Sequence, residues 1–214
     1  MEKVERKRSY KARNREETHA RILSVAIEEF TEHGYIGARV ERIASRSDVT
    51  LRMIYYYFKS KASLYATVLK HVFGEAAEAE RAFDPGDCPA EEGMRQLVRF
   101  AFDHFAARPD MVRLELGENM MKGEFLRHAS IKPLKDMPLY DRMKDLLQAG
   151  QKEGVFKKGI DAAQAWVLIS SLCRSYLLQG HTLSWKLDSD LSDPAFAKDW
   201  RKQVERTVLA ALAP

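Results

Sequence analysis

The sequence predicts an all-α protein, and three features of it do so. In 214 residues there are only 7 prolines and 11 glycines. Most of them sit between stretches of roughly 10–20 residues whose apolar positions recur three and four apart. No stretch shows the sustained two-residue alternation, bounded by hairpin turns, that a sheet would need. With 45% apolar and 31% charged residues, the chain can bury a core without staples, and its length leaves room for two domains.

Several classes are excluded at once. Cys88 and Cys173 are the two cysteines and stand far apart, which rules out a disulfide scaffold and a clustered cysteine metal site. No run of about 18 apolar residues exists, so no transmembrane helix is expected. No apolar segment follows the charged start Met1–Arg8, so no secretory signal is expected and the location is cytoplasmic. The net charge of +4 says little until it is divided. Residues 1–70 carry 15 Lys+Arg against 9 Asp+Glu, and residues 71–214 carry 20 against 22. The basic excess therefore gathers in the first third.

Residues 2–13 hold Lys3, Arg6, Lys7, Arg8, Lys11 and Arg13 with almost no apolar side chain, a pattern of a flexible basic arm. Asn14, with Glu17 three residues on, resembles a capping box. Ile22, Ala26 and Phe30, flanked by Leu23 and Ile27, make one apolar face, and Gly34 stands where a left-handed glycine would end the helix. A short helix follows over Val40–Ser47, buried through Val40, Ile43 and Ala44. After the break at Asp48-Val49, Thr50 caps a third helix, Leu51–Tyr57. Ser60 opens a longer helix through Leu64, Val68 and Phe73. The loop from Asp84 to Pro89 marks the expected domain boundary, and further helices are expected at about 91–107, 110–122, 138–153, 161–180 and 194–212. Arg108-Pro109, Lys132-Pro133, Gly154 and Asp193-Pro194 separate them. The segment 123–137 has no pattern that decides it.

Two short helices joined by a tight turn and braced on both sides make a helix-turn-helix, whose second helix enters the major groove. The residues themselves, Gly34-Tyr35, Val40-Glu41-Arg42-Ile43-Ala44, Val49-Thr50, Ile54-Tyr55-Tyr56-Tyr57-Phe58 and Lys59-Ser60-Lys61-Ala62-Ser63-Leu64, resemble the DNA-binding domain of TetR-family transcriptional regulators over residues 15–70. The resemblance implies a flexible arm at 1–13, a three-helix DNA-binding domain at 14–70, and a helical-bundle ligand-binding and dimerisation domain at 71–214. It implies DNA contacts by Arg39, Val40, Thr50, Leu51, Arg52, Tyr55, Tyr56, Tyr57 and Lys61. Arg52 can reach a guanine edge bidentately, and Tyr56 can pack on a thymine methyl. Tyr55, Tyr57 and Lys61 fall near phosphates, which set register without reading sequence. Two positions depart from the family. Arg39 replaces the threonine that commonly caps the second helix, and Asp48 replaces the usual turn glycine, where aspartate tolerates the left-handed conformation.

Beyond residue 83 the resemblance thins to one subgroup, through Pro109-Asp110-Met111-Val112-Arg113-Leu114 with Glu118-Asn119, Gly154-Val155-Phe156, and Gly180-His181-Thr182-Leu183-Ser184. An effector pocket within the bundle has Phe100, His104, Met111, Leu114, Asn119, Met120, Tyr140, Met143, Trp166 and Cys173 as candidates, a largely apolar set with Asn119 and His104 as polar members. Trp166, Ile169, Ser170, Leu172, Cys173 and Tyr176 line one broad face, and Phe196, Trp200, Val204, Val208 and Leu212 line another. Faces that wide suggest a four-helix-bundle homodimer, which suits a pseudo-palindromic operator. The expected partners are double-stranded DNA, an unidentified small effector and a second copy of the chain, with no membrane. No cofactor or metal is expected, since the histidines show no HExxH spacing and no phosphate-cradling glycine loop is present. No serine sits in a nucleophile elbow, so an enzyme is not expected. The competing reading is a helical carrier or adaptor that does not bind DNA, for which Arg52, Lys61 and a basic arm have no use.

Overall fold

The computed structural model describes residues 2–129 and 137–214, with side chains for residues 14–127, 129 and 137–214. The separator Lys132-Pro133 and the side chains of the basic arm lie outside the described residues. All regular structure among the described residues is helical: α1 (Glu2–Gly37), α2 (Val40–Arg46), α3 (Leu51–Phe58), α4 (Lys61–Arg81), α5 (Ala90–Ala107), α6 (Pro109–Met120), α7 (Glu124–His128), α8 (Pro138–Glu153), α9 (Ala162–Leu187) and α10 (Pro194–Leu212). No helix among them is long and apolar enough to cross a membrane.

One start differs from the sequence reading. Helix α1 runs back to Glu2, so Asn14 lies inside it and caps nothing; its carbonyl accepts the Thr18 hydroxyl at 2.8 Å. Lys, Arg, Glu and Ala are good helix formers, and a helix propagates through them once its apolar turns are anchored. Gly34, with φ +63° and ψ 177°, breaks α1 one turn before its end, as a left-handed glycine should. Among the described residues of the undecided segment 123–137, α7 is formed.

The chain forms two compact units, residues 1–73 with 113–131, and residues 74–112 with 132–214. The loop from Asp84 to Pro89, read as a boundary, lies inside the second unit. The chain passes between the units within α4, at Phe73-Gly74, and within α6, at Val112-Arg113.

The core of the first unit is made by Ile22, Ala26 and Phe30 of α1, Ile43 of α2, Ile54 and Phe58 of α3, and Leu64, Tyr65 and Val68 of α4. Phe30, Tyr35, Tyr65 and Phe125 form an aromatic cluster with ring centroids 4.4–6.4 Å apart. Glu118 fastens the same region, its Oε2 accepting the Phe125 and Leu126 N–H groups at 3.1 Å. Burial, with the Glu118 carboxylate adding to it, raises the Tyr65 hydroxyl well above its ordinary range.

In the second unit α5 is central and packs on α8, α9 and α10. It is buried through Met94, Leu97, Val98, Ala101, Phe102 and Phe105, each worth about 1.5–3 kcal/mol apart from the alanine. Leu139, Met143 and Leu147 of α8, Ile169 and Cys173 of α9, and Val204, Val208 and Leu212 of α10 complete the core. Phe102 and Tyr176 stack at 5.1 Å and 4°. Glu205 of α10 takes Arg95 and Arg99 of α5 at 2.9 and 2.7 Å. The α8 terminus turns at Gly154 (φ +78°), and Phe156 then folds onto Gly150, where a Cβ would stand 2.1 Å from its ring.

Candidate nucleic-acid interface

The local sequence builds the helix-turn-helix in four steps. Helix α2 is buried through Val40, Ile43 and Ala44. Its end is closed by Asp48 at φ +50°, which takes the family's glycine position, and by Val49 N–H donating to Ala44 C=O at 3.1 Å. Thr50 then caps α3, its Oγ1 accepting Met53 N–H at 3.3 Å. Ile54 and Phe58 pin α3 inward and leave the opposite side free.

The missing cap at Arg39 is supplied from α1. Arg39 makes no side-chain cap, but its backbone N–H donates to Oε1 of Glu29 at 2.8 Å, and Arg42 Nε donates to the same oxygen at 2.8 Å. Glu29 is 1% exposed. Burial alone would raise its carboxyl; the bonds from Arg42 and Arg39, with the charges of Arg42 and His33, outweigh that and hold it below the usual carboxylate range. Arg42 also donates to Gly37 C=O at 2.9 Å. Neither Glu29 nor Arg42 was singled out from the sequence. The available signal was a carboxylate set against the apolar stripe of Ala26 and Phe30.

On the free side of α3, Thr50, Arg52, Tyr55 and Tyr56 are exposed, Tyr56 to 66%. Arg39 is exposed as well, and Leu51 and Tyr57 are half-buried. Val40 departs from the expected set: its side chain is buried in the core of α2. Lys61 is partly turned inward, its Nζ 4.8 Å from the centre of the Tyr35 ring and 3.5 Å from Ile36 C=O. Burial lowers its pKa, against the pull of Glu29 and Glu41. The guanidinium of Arg15 lies over the Tyr56 and Tyr57 rings at 5.4 and 6.0 Å, and Arg15, Glu16, His19 and Tyr57 line a surface cleft. Arg15 belongs to this surface, although the basic composition had been read as ending at Arg13.

A family profile described as "Bacterial regulatory proteins, tetR family" matches residues 22–68, and one described as "Tetracyclin repressor-like, C-terminal domain" matches residues 90–208. The chain belongs to the TetR family. It is 31% identical to the HTH-type transcriptional repressor NicS of Pseudomonas putida, over 97% of this chain and 98% of that protein. It is 32% identical to the HTH-type transcriptional repressor SCO4008 of Streptomyces coelicolor, over 75% and 79%. Among solved structures, the putative transcriptional regulator SCO4942 of S. coelicolor has a TM-score of 0.66 and 29% identity, covering 89% of this chain and 97% of that one. As a TetR-family protein with repressors as its relatives, the chain is a ligand-responsive, DNA-binding transcriptional repressor with an N-terminal helix-turn-helix domain and a C-terminal helical domain.

The expected effector residues of this TetR-family chain divide between the two units. Phe100, His104, Met111, Tyr140, Met143, Trp166 and Cys173 belong to the second unit, whereas Leu114, Asn119 and Met120 belong to the first. Asn119 is exposed and Met120 is 81% exposed, so neither lines an interior site: the α6 face that carries them points away from the buried Leu114. Met143 and Cys173 are fully buried, and burial pushes the Cys173 thiol up to about 12, which makes it a small apolar core residue. Tyr140 and Trp166 meet edge to face at 6.1 Å. Missed from the sequence is Glu80, buried on α4 beside His104.

The expected dimer faces are corrected too. Ile169, Ser170, Cys173, Val204 and Val208 are buried within a single chain, as are Trp166 and Tyr176. Trp200 donates its Nε1–H to Leu172 C=O at 3.2 Å, joining α10 to α9 inside the protomer. These faces meet α5 and each other. What α9 leaves outside is a different stripe, with Val167, Ser171, Leu178 and Trp185 exposed.

Proposed function

We propose that the protein is a cytoplasmic homodimer that represses by binding a pseudo-palindromic operator, with one α3 in the major groove of each half-site, and that a small, largely apolar effector releases it. The observation that carries this reading is the free face of α3: Thr50, Arg52, Tyr55 and Tyr56 are exposed on a helix whose other side is fixed by Ile54 and Phe58. In this reading Arg52 reads guanine and Tyr56 a thymine methyl. Arg39, Tyr55, Tyr57, Lys61 and the Val40 N–H hold phosphates. Lys61 reaches its phosphate by leaving the Tyr35 ring. Leu51 seats α3 rather than reading DNA.

The dimer forms on the outward stripe of α9. From Ala162 to Trp185 the helix carries Arg174 as its one Lys, Arg, Asp or Glu, a composition suited to burial against a second copy. Effector binding then acts by population shift, favouring a conformer whose two α3 helices no longer match the half-site spacing. The α4 and α6 helices, which continue from one unit into the other, are the levers. A gel-shift titration on duplexes selected from random DNA tests the reading. Arg52→Ala and Tyr56→Ala are expected to weaken binding and leave the thermal melt unchanged; unchanged affinity for both would remove α3 as the reading helix.

A further inference from the structure

The second unit holds a buried polar pair that the described side chains leave incomplete. Glu80 on α4 and His104 on α5 have side chains 4% and 5% exposed, with His104 Nε2 standing 3.7 Å from Glu80 Oε1, beyond hydrogen-bonding distance. The Leu139 N–H at the start of α8 donates to the Glu80 carboxyl. Oε2 of Glu80 and Nε2 of His104 have no hydrogen-bond partner among the described residues. Buried polar atoms are seldom left this way unless something else completes them. The pair also borders a run of rings: Phe100 lies parallel to His104 at 5.7 Å and 9°, and Phe83 meets Phe100 at 4.9 Å.

We propose that Glu80 and His104 form the polar floor of the effector site and hold a primary amine or amidine carried on an aromatic body. This rests on the reading of the protein as an effector-released repressor and adds the chemical class of the effector. Burial and the nearby Arg108 keep His104 neutral, so its open Nε2 is an acceptor when the proton is on Nδ1, and Glu80 Oε2 is an acceptor whenever it is ionised. An ammonium or amidinium donates to both from one head group. A hydroxyl has one hydrogen and satisfies one acceptor. A carboxylate brings no donor and faces the like charge of Glu80. A cation also brings a counter-charge into direct contact with the dry carboxyl, and the faces of Phe83 and Phe100 suit an aromatic body and its cation.

The charged groups facing the pair are Arg81 from α4 and Arg108, which follows α5; α8 contributes the Leu139 N–H. Arg108 is itself held by Asp110 and Glu75 at 3.0 and 3.4 Å. Burial pushes Glu80 up to about 7. Amine binding needs the ionised form, so it expels a proton near neutrality, and affinity falls as pH drops below 7, by about fivefold over the first unit and towards tenfold per unit beyond it.

The test is calorimetric titration of the full-length protein at pH 6, 7 and 8 with benzylamine, benzyl alcohol and benzoate. Benzylamine is expected to bind saturably, about fivefold more weakly at pH 6 than at pH 7, and to release a selected operator duplex. Benzyl alcohol and benzoate are expected to bind at least tenfold more weakly than benzylamine. Glu80→Gln should cut benzylamine affinity at least tenfold and remove its pH dependence; if that variant does not fold, the pH series on the unaltered protein decides alone. Absence of saturable benzylamine binding, equal binding of the alcohol or the acid, or a flat pH series each overturns the assignment. Benzylamine binding that leaves the duplex bound overturns the effector role. If benzylamine binds as expected but no duplex is bound at all, the repressor reading fails and the amine site stands.

Discussion

Glu29 shows how much one side chain settles in the reading head. It completes the N-terminus of α2 through the Arg39 N–H and orders Arg42 across it, so its removal leaves a backbone donor unmet and a guanidinium without its partner. Glu29→Ala is expected to lower stability by about 1.5–3 kcal/mol, the range for hydrogen bonds to charged groups, measured by urea denaturation. The pH dependence follows from the direction of the shift. The folded carboxyl lies below its ordinary 4.5, so its contribution is full above about pH 4.5 and is lost as pH falls through the lower folded value. Glu29→Gln should flatten that acid limb. None of this was legible in the sequence, because a glutamate next to an apolar stripe reads as a solvated edge until Arg42, 13 residues on, folds back over it. By contrast Thr50, Asp48 and Gly34 were legible, since a cap or a left-handed turn depends on the residue itself and its immediate neighbours.

At the level of elements, the bounds of α2, α3, α8 and α10 follow closely from caps, prolines and apolar spacing. The use of the apolar faces on α9 and α10 does not. A face such as Trp166-Ile169-Cys173-Tyr176 has the same pattern whether α5 or another protomer covers it, and only the position of α5 shows that it is interior. The exposed stripe was hidden because Val167, Ser171 and Leu178 are mixed with small polar residues. If that stripe joins two copies, Val167→Glu and Leu178→Glu together are expected to shift the protein from dimer to monomer in sedimentation velocity, with operator affinity falling in parallel. A double variant that stays dimeric would move the interface elsewhere. Gly150 gives an independent check on packing. A methyl there meets the Phe156 ring at 2.1 Å, so Gly150→Ala is expected to cost about 1–3 kcal/mol, the range for overpacking, read as a lower melting temperature.

Across the whole molecule, the division of charge was legible early and the division into units was not. The basic first third carries the helix-turn-helix, as its excess of Lys and Arg implied. Residues 113–131, however, belong with that first unit. Sequence proximity placed them with the bundle, whereas Phe125 and Glu118 attach them to Tyr35 and Tyr65. Two helices, α4 and α6, therefore run from one unit into the other, which is the connectivity a repressor needs if a ligand in one unit is to alter the other. The phosphate contacts proposed for Arg39 and Lys61 predict that operator affinity falls linearly in log–log terms with salt, and that Arg39→Ala reduces the slope by about one. Selection of bound duplexes from random DNA is the most direct measurement, because it asks at once whether the protein reads sequence and whether it does so as a symmetric pair. The predicted result is an enriched inverted repeat whose half-site centres lie about 34 Å apart or a multiple of that, weakened by Arg52→Ala. Enrichment of no sequence, or of a single asymmetric site, would contradict the account.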